Sequence, residues 1–144
     1  MDKIIFVPAR SGSKSIVHKN IQIIGEVPLL IIALINAKES GLPVIFSSDS
    51  ILYCQIAEEI GNIKIHHRDS ELSGDTADIW DAVEHSLNYF KLEEVNNIIL
   101  LEPTSPFLGE DDIINLVKII DKDRPHYIYN LSEVPATHNS INLR

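Results

Sequence analysis

The stretch FVPARSGSKSIVHKN, Phe6–Asn20, decides the reading of this chain. Its first residues continue the apolar run IIFVP, Ile4–Pro8, a pattern expected of a strand buried on both faces. The run then opens directly into a short loop carrying Arg10, Ser11, Gly12, Ser13 and Lys14, with His18, Lys19 and Asn20 close behind. A protein of net charge −9 thus gathers cations at the end of its first strand. Small residues let the backbone approach oxygens, Arg10 offers a planar donor fork and Lys14 a point charge, so the loop suits a polyphosphate. Its spacing matches neither the P-loop nor the dinucleotide fingerprint. The competing reading is a solvated basic turn.

Working outward, the pattern alternates. Pro28–Ser40 reads as a helix with Gly41 past its end, and Pro43–Ser47 as a buried strand. Ile51–Ile60 is a helix capped by Asp49 or Ser50, and Ile63–His67 a strand. After the loop Arg68–Asp75, a helix runs to about Lys91, with Ile79, Val83, Leu87 and Phe90 at helical spacing. Asn97–Leu101 is a strand, Asp112–Asp121 a helix and His126–Leu131 a strand, leaving the final 13 residues without a clear element. Strands alternating with helices predict an α/β protein with a mostly parallel sheet, in one domain spanning residues 1–144.

Composition bounds the function. The 44% apolar and 23% charged content is that of a globular protein, and the acidic balance argues against general nucleic-acid binding. Cys54, the single cysteine, cannot form an internal disulfide and reads as a small buried hydrophobe, which fits a reducing, cytoplasmic setting. No apolar run is long enough to span a bilayer, and the N-terminus lacks a signal-peptide pattern.

Ligands of open parallel sheets bind beyond the carboxyl ends of the strands. Those positions hold Arg10, Ser13, Lys14, Lys19 and Asn20; then Ser47–Asp49; then Arg68; then Glu102, Thr104 and Ser105. Four segments are therefore expected to converge on one edge.

Here the motifs reach a resemblance. FVPARSGSKSIVHKN followed by GEVPLL resembles I-P-A-R-x-G-S-K-G-I-P-x-K-N-I with G-x-P-L, the opening signature of CMP-sialic acid synthetases, the acylneuraminate cytidylyltransferases. FSSDS is similar to their S-[ST]-D-S, HRDSELSGDTADIWDAVEHSL to R-P-x-x-L-[AS]-x-D-x-[AS], and LLEPTSPFL to L-L-Q-P-T-S-P-L-R. The resemblance implies a Rossmann-like, three-layer α/β/α nucleotide-diphospho-sugar transferase fold. It also implies transfer of CMP from CTP to a nonulosonic, sialic-acid-like sugar, assisted by Mg²⁺ or Mn²⁺, for surface glycans such as lipopolysaccharide or capsule.

Carried over residue by residue, the resemblance gives Arg10, Lys14 and Lys19 the catalytic, phosphate-facing roles, with Ser13 beside the triphosphate. Asn20, Arg68 and Ala77 match cytidine-facing positions, and Glu102, Thr104 and Ser105 the sugar-facing region. Asp49 matches the acid of the second-strand motif. The family is dimeric. Its crossover segment, and an Asp pair implicated in metal binding, would fall beyond Arg144, so the chain reads as the N-terminal portion of the fold.

Several positions depart from the pattern. Ser15 and Val17 replace Gly and Pro, Asp69 stands where the family has Pro, and Phe107–Leu108 replaces Leu–Arg. Glu102 stands for a glutamine. An ionised carboxylate only accepts hydrogen bonds. It would repel a sugar carboxylate, and so alters sugar preference, impairs catalysis or recruits metal. Two other functions compete. A 3-deoxy-manno-octulosonate cytidylyltransferase would carry Q-G-D-E-P where this chain has Glu102–Pro106, with Thr104 replacing its Asp. A non-catalytic nucleotide-binding module is the other. Glu110–Asp112 reads as a helix-start charge cluster, and adjacent His66 and His67 as structural.

Overall fold

The structure is a computed structural model that describes residues 2–12, 16–124 and 128. β1 (Lys3–Pro8) is followed by a small ribbon of β2 (Ile23–Ile24) and β3 (Val27–Pro28), then α1 (Leu29–Glu39) and β4 (Val44–Ser48). The chain continues through α2 (Ile51–Ile60), β5 (Lys64–His67), α3 (Ile79–Tyr89), β6 (Asn97–Leu100) and α4 (Glu110–Asp123). Four of these strands form one sheet in the order β5-β4-β1-β6, every pair parallel.

β1 lies inside that sheet because both of its faces are apolar. Ile5 and Val7 point into a core built with α1, α2 and α4, while Ile4 and Phe6 point into a second core with α3. Successive strand residues face opposite sides, so one continuous apolar run supplies both layers. The result is helix–sheet–helix. α3 occupies the opposite face for a topological reason: β5 to β6 is the connection that crosses back over β4 and β1. A right-handed crossover in the reverse direction must use the other side.

Local chemistry fixes the element ends. The Ser50 hydroxyl accepts the Tyr53 N–H at the start of α2, and the Asp78 carboxylate accepts the Trp80 N–H at the start of α3. α4 is longer than its apolar spacing predicts. Glu110, Asp111 and Asp112 form its first turn, where carboxylates meet the positive end of the helix dipole, and Asp112 also accepts the Gly109 N–H at 2.9 Å. The 3₁₀ turn Lys19–Ile21 and the β2–β3 ribbon were not legible as elements. Ile23 and Ile24 are exposed, so they show no buried-face alternation; Gly25, at φ 67°, makes the tight reversal between them and Val27. Of the strand expected at residues 126–131 only residue 128 is among the described residues, and the final 13 residues lie outside them.

The adjacent histidines divide as a strand requires. His67 is exposed, with Nε2 3.2 Å from the Asp49 carbonyl oxygen. His66 is buried, its Nδ1 2.8 Å from the Ser47 hydroxyl and its Nε2 2.8 Å from His85 Nδ1. A neutral imidazole satisfies both contacts, since it offers one donor and one acceptor. Burial first, then the neighbouring His85, pull the His66 pKa down to about 4.

The unfolded ring protonates near 6.5, so the unfolded state binds more protons than the folded one between about 6.5 and 4. Stability from neutral His66 is complete above that window. It falls as pH drops through it, by at most about 1.4 kcal/mol per pH unit. NMR titration of the ring protons, assigned with His66→Gln, should show one histidine neutral to about pH 4. A His66 titrating at its ordinary value would contradict the buried chain.

Candidate active site

The carboxyl ends of the strands open into a cleft of about 260 Å³. Three segments wall it: Pro8 at the end of β1 with Arg10, Gly12, Lys19 and Asn20 after it; Arg68, residues 72–75, Ala77 and Ile79 after β5; and Glu102–Thr104 after β6. This is the edge where open parallel sheets place ligands, over the point where the strand order reverses.

The segment after β4 was expected to join that wall and instead stands behind it. Asp49 accepts the Ser11 N–H through Oδ1 and the Ser11 hydroxyl through Oδ2, each at 2.8 Å. The loop after β1 is tied at further points. Asn20, nearly fully buried, donates from Nδ2 to the Arg10 carbonyl at 3.0 Å, drawing the two ends of the loop together. His18 adopts a left-handed backbone (φ 49°) and places Nδ1 3.2 Å from the Tyr53 hydroxyl. Gln22 donates to the Val17 carbonyl at 2.9 Å. Among the described residues, chain neighbours aside, a Cβ added at Gly12 would meet no atom within 4 Å.

Three cations from two separate segments share the cleft wall. Arg10 is half-exposed, and its Nη1 lies 2.7 Å from Asp75 Oδ1, a pair that bridges the first loop to the loop after β5. Lys19 sits at the start of the 3₁₀ turn. Arg68 is only 3% exposed. Its backbone N–H is paired with the Ser48 carbonyl at 2.9 Å, but its side-chain Nε has no hydrogen-bond partner among the described residues, nor does the hydroxyl of Ser73. Burial lowers the Arg68 pKa, opposed by the charge of Asp49 and reinforced by that of Arg10. A buried guanidinium with an unmet donor is costly unless something else supplies acceptors.

Of the residues singled out from sequence, Arg10, Lys19, Asn20, Arg68, Ala77, Glu102 and Thr104 line this one cleft. Ser105 lies in the turn just beyond, its N–H donating to the Glu102 carbonyl at 3.1 Å. Ser13 and Lys14 lie outside the described residues. Sequence reasoning missed Asp75 and Ser73 as cleft residues, although both belong to the quoted motif HRDSELSGD. Trp80 and Tyr89, both on α3, are at least half exposed, with Tyr89 edge-on to Phe90.

Comparison with known proteins identifies the family. A family model described as cytidylyltransferase matches residues 4–142. The chain belongs to the cytidylyltransferase family. It is 36% identical over 118 residues to the N-acylneuraminate cytidylyltransferase of Escherichia coli O18:K1:H7, a match covering 81% of this chain and 27% of that protein. It is 31% identical over 117 residues to the CMP-N,N'-diacetyllegionaminic acid synthase of Legionella pneumophila, covering 78% and 50%. Among solved structures, a CMP:2-keto-3-deoxy-manno-octonic acid synthetase complexed with CTP superposes with a TM-score of 0.69 at 20% identity, covering 86% of this chain and 49% of that one. That likeness establishes the Rossmann-like α/β fold. The chain spans half or less of the length of these three proteins.

The unmet donor of Arg68 gives a direct test of a site against a scaffold role. Arg68→Met should leave ligand-free stability in urea unchanged or raised by up to about 2 kcal/mol, because an incompletely paired buried cation is replaced by an apolar chain of similar length. A loss of that size would mean the guanidinium holds the fold together.

Proposed function

We propose that this chain forms the CTP-binding part of an enzyme that transfers CMP to a nonulosonic, sialic-acid-like sugar and releases pyrophosphate. The observation that carries the proposal is the convergence of Arg10, Lys19 and Arg68 on one strand-end cleft of a protein with net charge −9. Lys14 and Ser13, in the same loop, extend that positive wall in this reading. Family membership supports the nucleotide, and the named activities of the relatives at 36% and 31% identity support a sugar acid of this class.

In the proposed reaction the anomeric hydroxyl of the sugar attacks the α-phosphorus of CTP. The bond from that phosphorus to the bridging oxygen breaks, pyrophosphate leaves with the electron pair, and the hydroxyl proton passes to solvent or a base. Charge building on the phosphate oxygens is met by Arg10, Lys14 and Lys19, while Arg68, Asn20 and Ala77 face the cytidine. Glu102, Thr104 and Ser105 face the sugar.

Among the described residues, no group of three or more His, Cys, Asp or Glu side chains is placed to hold a metal ion. Magnesium needs no such cage, since one or two carboxylates and the substrate phosphates suffice. The cleft carboxylate Asp75 fits a metal arriving with CTP. A bound Mg²⁺ or Mn²⁺ would supply charge neutralisation on the phosphates. Among the described residues no helix is long and apolar enough to cross a membrane. Our proposal of a cytoplasmic enzyme rests on the single buried, unpaired cysteine.

Thermal shift with CTP, ATP, GTP and UTP, with and without Mg²⁺, tests the nucleotide. CTP at a hundred times its dissociation constant should stabilise the chain by about 2.7 kcal/mol. Equal shifts with all four, or none, would contradict the proposal. Glu102→Gln should raise pyrophosphate release with a sialic acid acceptor by about threefold to tenfold, the effect of removing ~1 kcal/mol of repulsion. An unchanged or lower rate would show that Glu102 does not oppose the acceptor.

A further inference from the structure

One contact that supports the cleft lies behind its wall. Asp49 follows β4 and does not line the cleft, yet both of its carboxylate oxygens are committed to Ser11, 38 residues away in sequence. Ser11 stands between Arg10 and Gly12, which do line it. The parallel register pairs Pro8 with Ser47, and the Ala9 N–H donates to the Ser47 carbonyl at 2.9 Å, so the two chains leave the sheet side by side. Asp49 is itself held from both directions. Its carbonyl oxygen lies 3.2 Å from His67 Nε2, and the next residue, Ser50, donates its N–H to the Ser48 hydroxyl and caps α2. A carboxylate fixed between a strand end and a helix start thus grips the loop soon after it leaves β1.

We propose that Asp49 is a positioning residue for the anion-binding loop. By clamping the Ser11 N–H and hydroxyl, it holds Arg10 and Gly12 against the cleft and so sets the affinity for the phosphate chain of the ligand. The clamp also removes the Ser11 amide from the set available to phosphate. Charge-assisted hydrogen bonds of this kind are stronger than neutral ones, which suits a latch on a small-residue loop. This inference rests on the nucleotide reading of the cleft, and assigns the determinant of polyphosphate affinity to a residue that never touches the ligand.

The test uses three ligands and four variants. Wild type, Asp49→Ala, Asp49→Asn, Ser11→Ala and the Asp49→Ala/Ser11→Ala pair are titrated with CTP, inorganic tripolyphosphate and cytidine, calorimetrically for the first two and by NMR for the last. Asp49→Ala should weaken CTP and tripolyphosphate by about tenfold or more and leave cytidine within about twofold. Ser11→Ala, which keeps the backbone N–H hydrogen bond to Asp49, should weaken the same two ligands by about threefold. The double variant should be no weaker than Asp49→Ala, because both remove one interaction. The carboxamide introduced by Asp49→Asn can still accept the Ser11 N–H and donate to the Ser11 hydroxyl oxygen, so that variant should recover most of the affinity.

Parallel losses for all three ligands would show a general structural role and overturn the inference. So would unchanged tripolyphosphate binding across the set, or an Asp49→Asn variant as poor as Asp49→Ala. If CTP binds but no variant weakens it, the positioning role falls alone. If tripolyphosphate binding depends on Asp49 while CTP shows no advantage over other nucleotides, the positioning role stands and the cytidine reading falls.

Discussion

β1 is buried on both faces, and that double burial is the constraint on which the rest depends. Ile4, Ile5, Phe6 and Val7 are each at most 1% exposed. Each such side chain contributes on the order of 2 kcal/mol when removed from water. Only a position with strands on both sides and helices on both faces can accommodate them all. β4 and β6 take the two edges, α1, α2 and α4 one face, and α3 the other. Parallel pairing then aligns the carboxyl ends, so the loops that follow β1, β5 and β6 meet without any contact between them having to drive the fold.

The site is built where that apolar packing ends. Ser47, Ser48, His66, Asn20 and Arg68 are all buried polar residues clustered toward the carboxyl edge. Most are fully engaged. Ser47 pairs with His66, Asn20 with the Arg10 carbonyl, and the Ser48 hydroxyl accepts the Ser50 N–H. Arg68 is the exception, with a buried and unmatched Nε beside an open cleft. In the proposed site, that unmatched donor is the one left for a ligand to satisfy. Arg10 is held differently, by an exposed pair with Asp75 that joins two loops.

Much of this was legible in the sequence. The continuous apolar run at residues 4–8, the strand-like segment at residues 97–101 and the helical spacing of Ile79, Val83 and Leu87 placed strands and helices within a few residues of where they lie. Periodicity could do this because burial dictates it. The ribbon at Ile23–Pro28 was illegible because its side chains are largely exposed and its order comes from a turn. In the site, residue types carrying charge at strand ends pointed to Arg10, Lys19, Arg68 and Glu102. Side-chain partnerships between distant segments left no such trace. Nothing in local sequence says that Asp49 grips Ser11, that Asp75 meets Arg10, or that Asn20 closes its own loop, because each depends on how the folded chain brings separate segments together.

The central claim is that the edge above β1 is a nucleotide site assembled from three loops. Backbone amide shifts, followed by two-dimensional NMR as CTP and Mg²⁺ are added, test it most directly. The account predicts saturable changes at Arg10–Gly12, Lys19–Asn20, Arg68, Ser73–Ala77 and Glu102–Thr104, with the far ends of α1 and α4 unmoved. Changes confined to the opposite end of the sheet, or absent from one of the three loops at saturation, would contradict it.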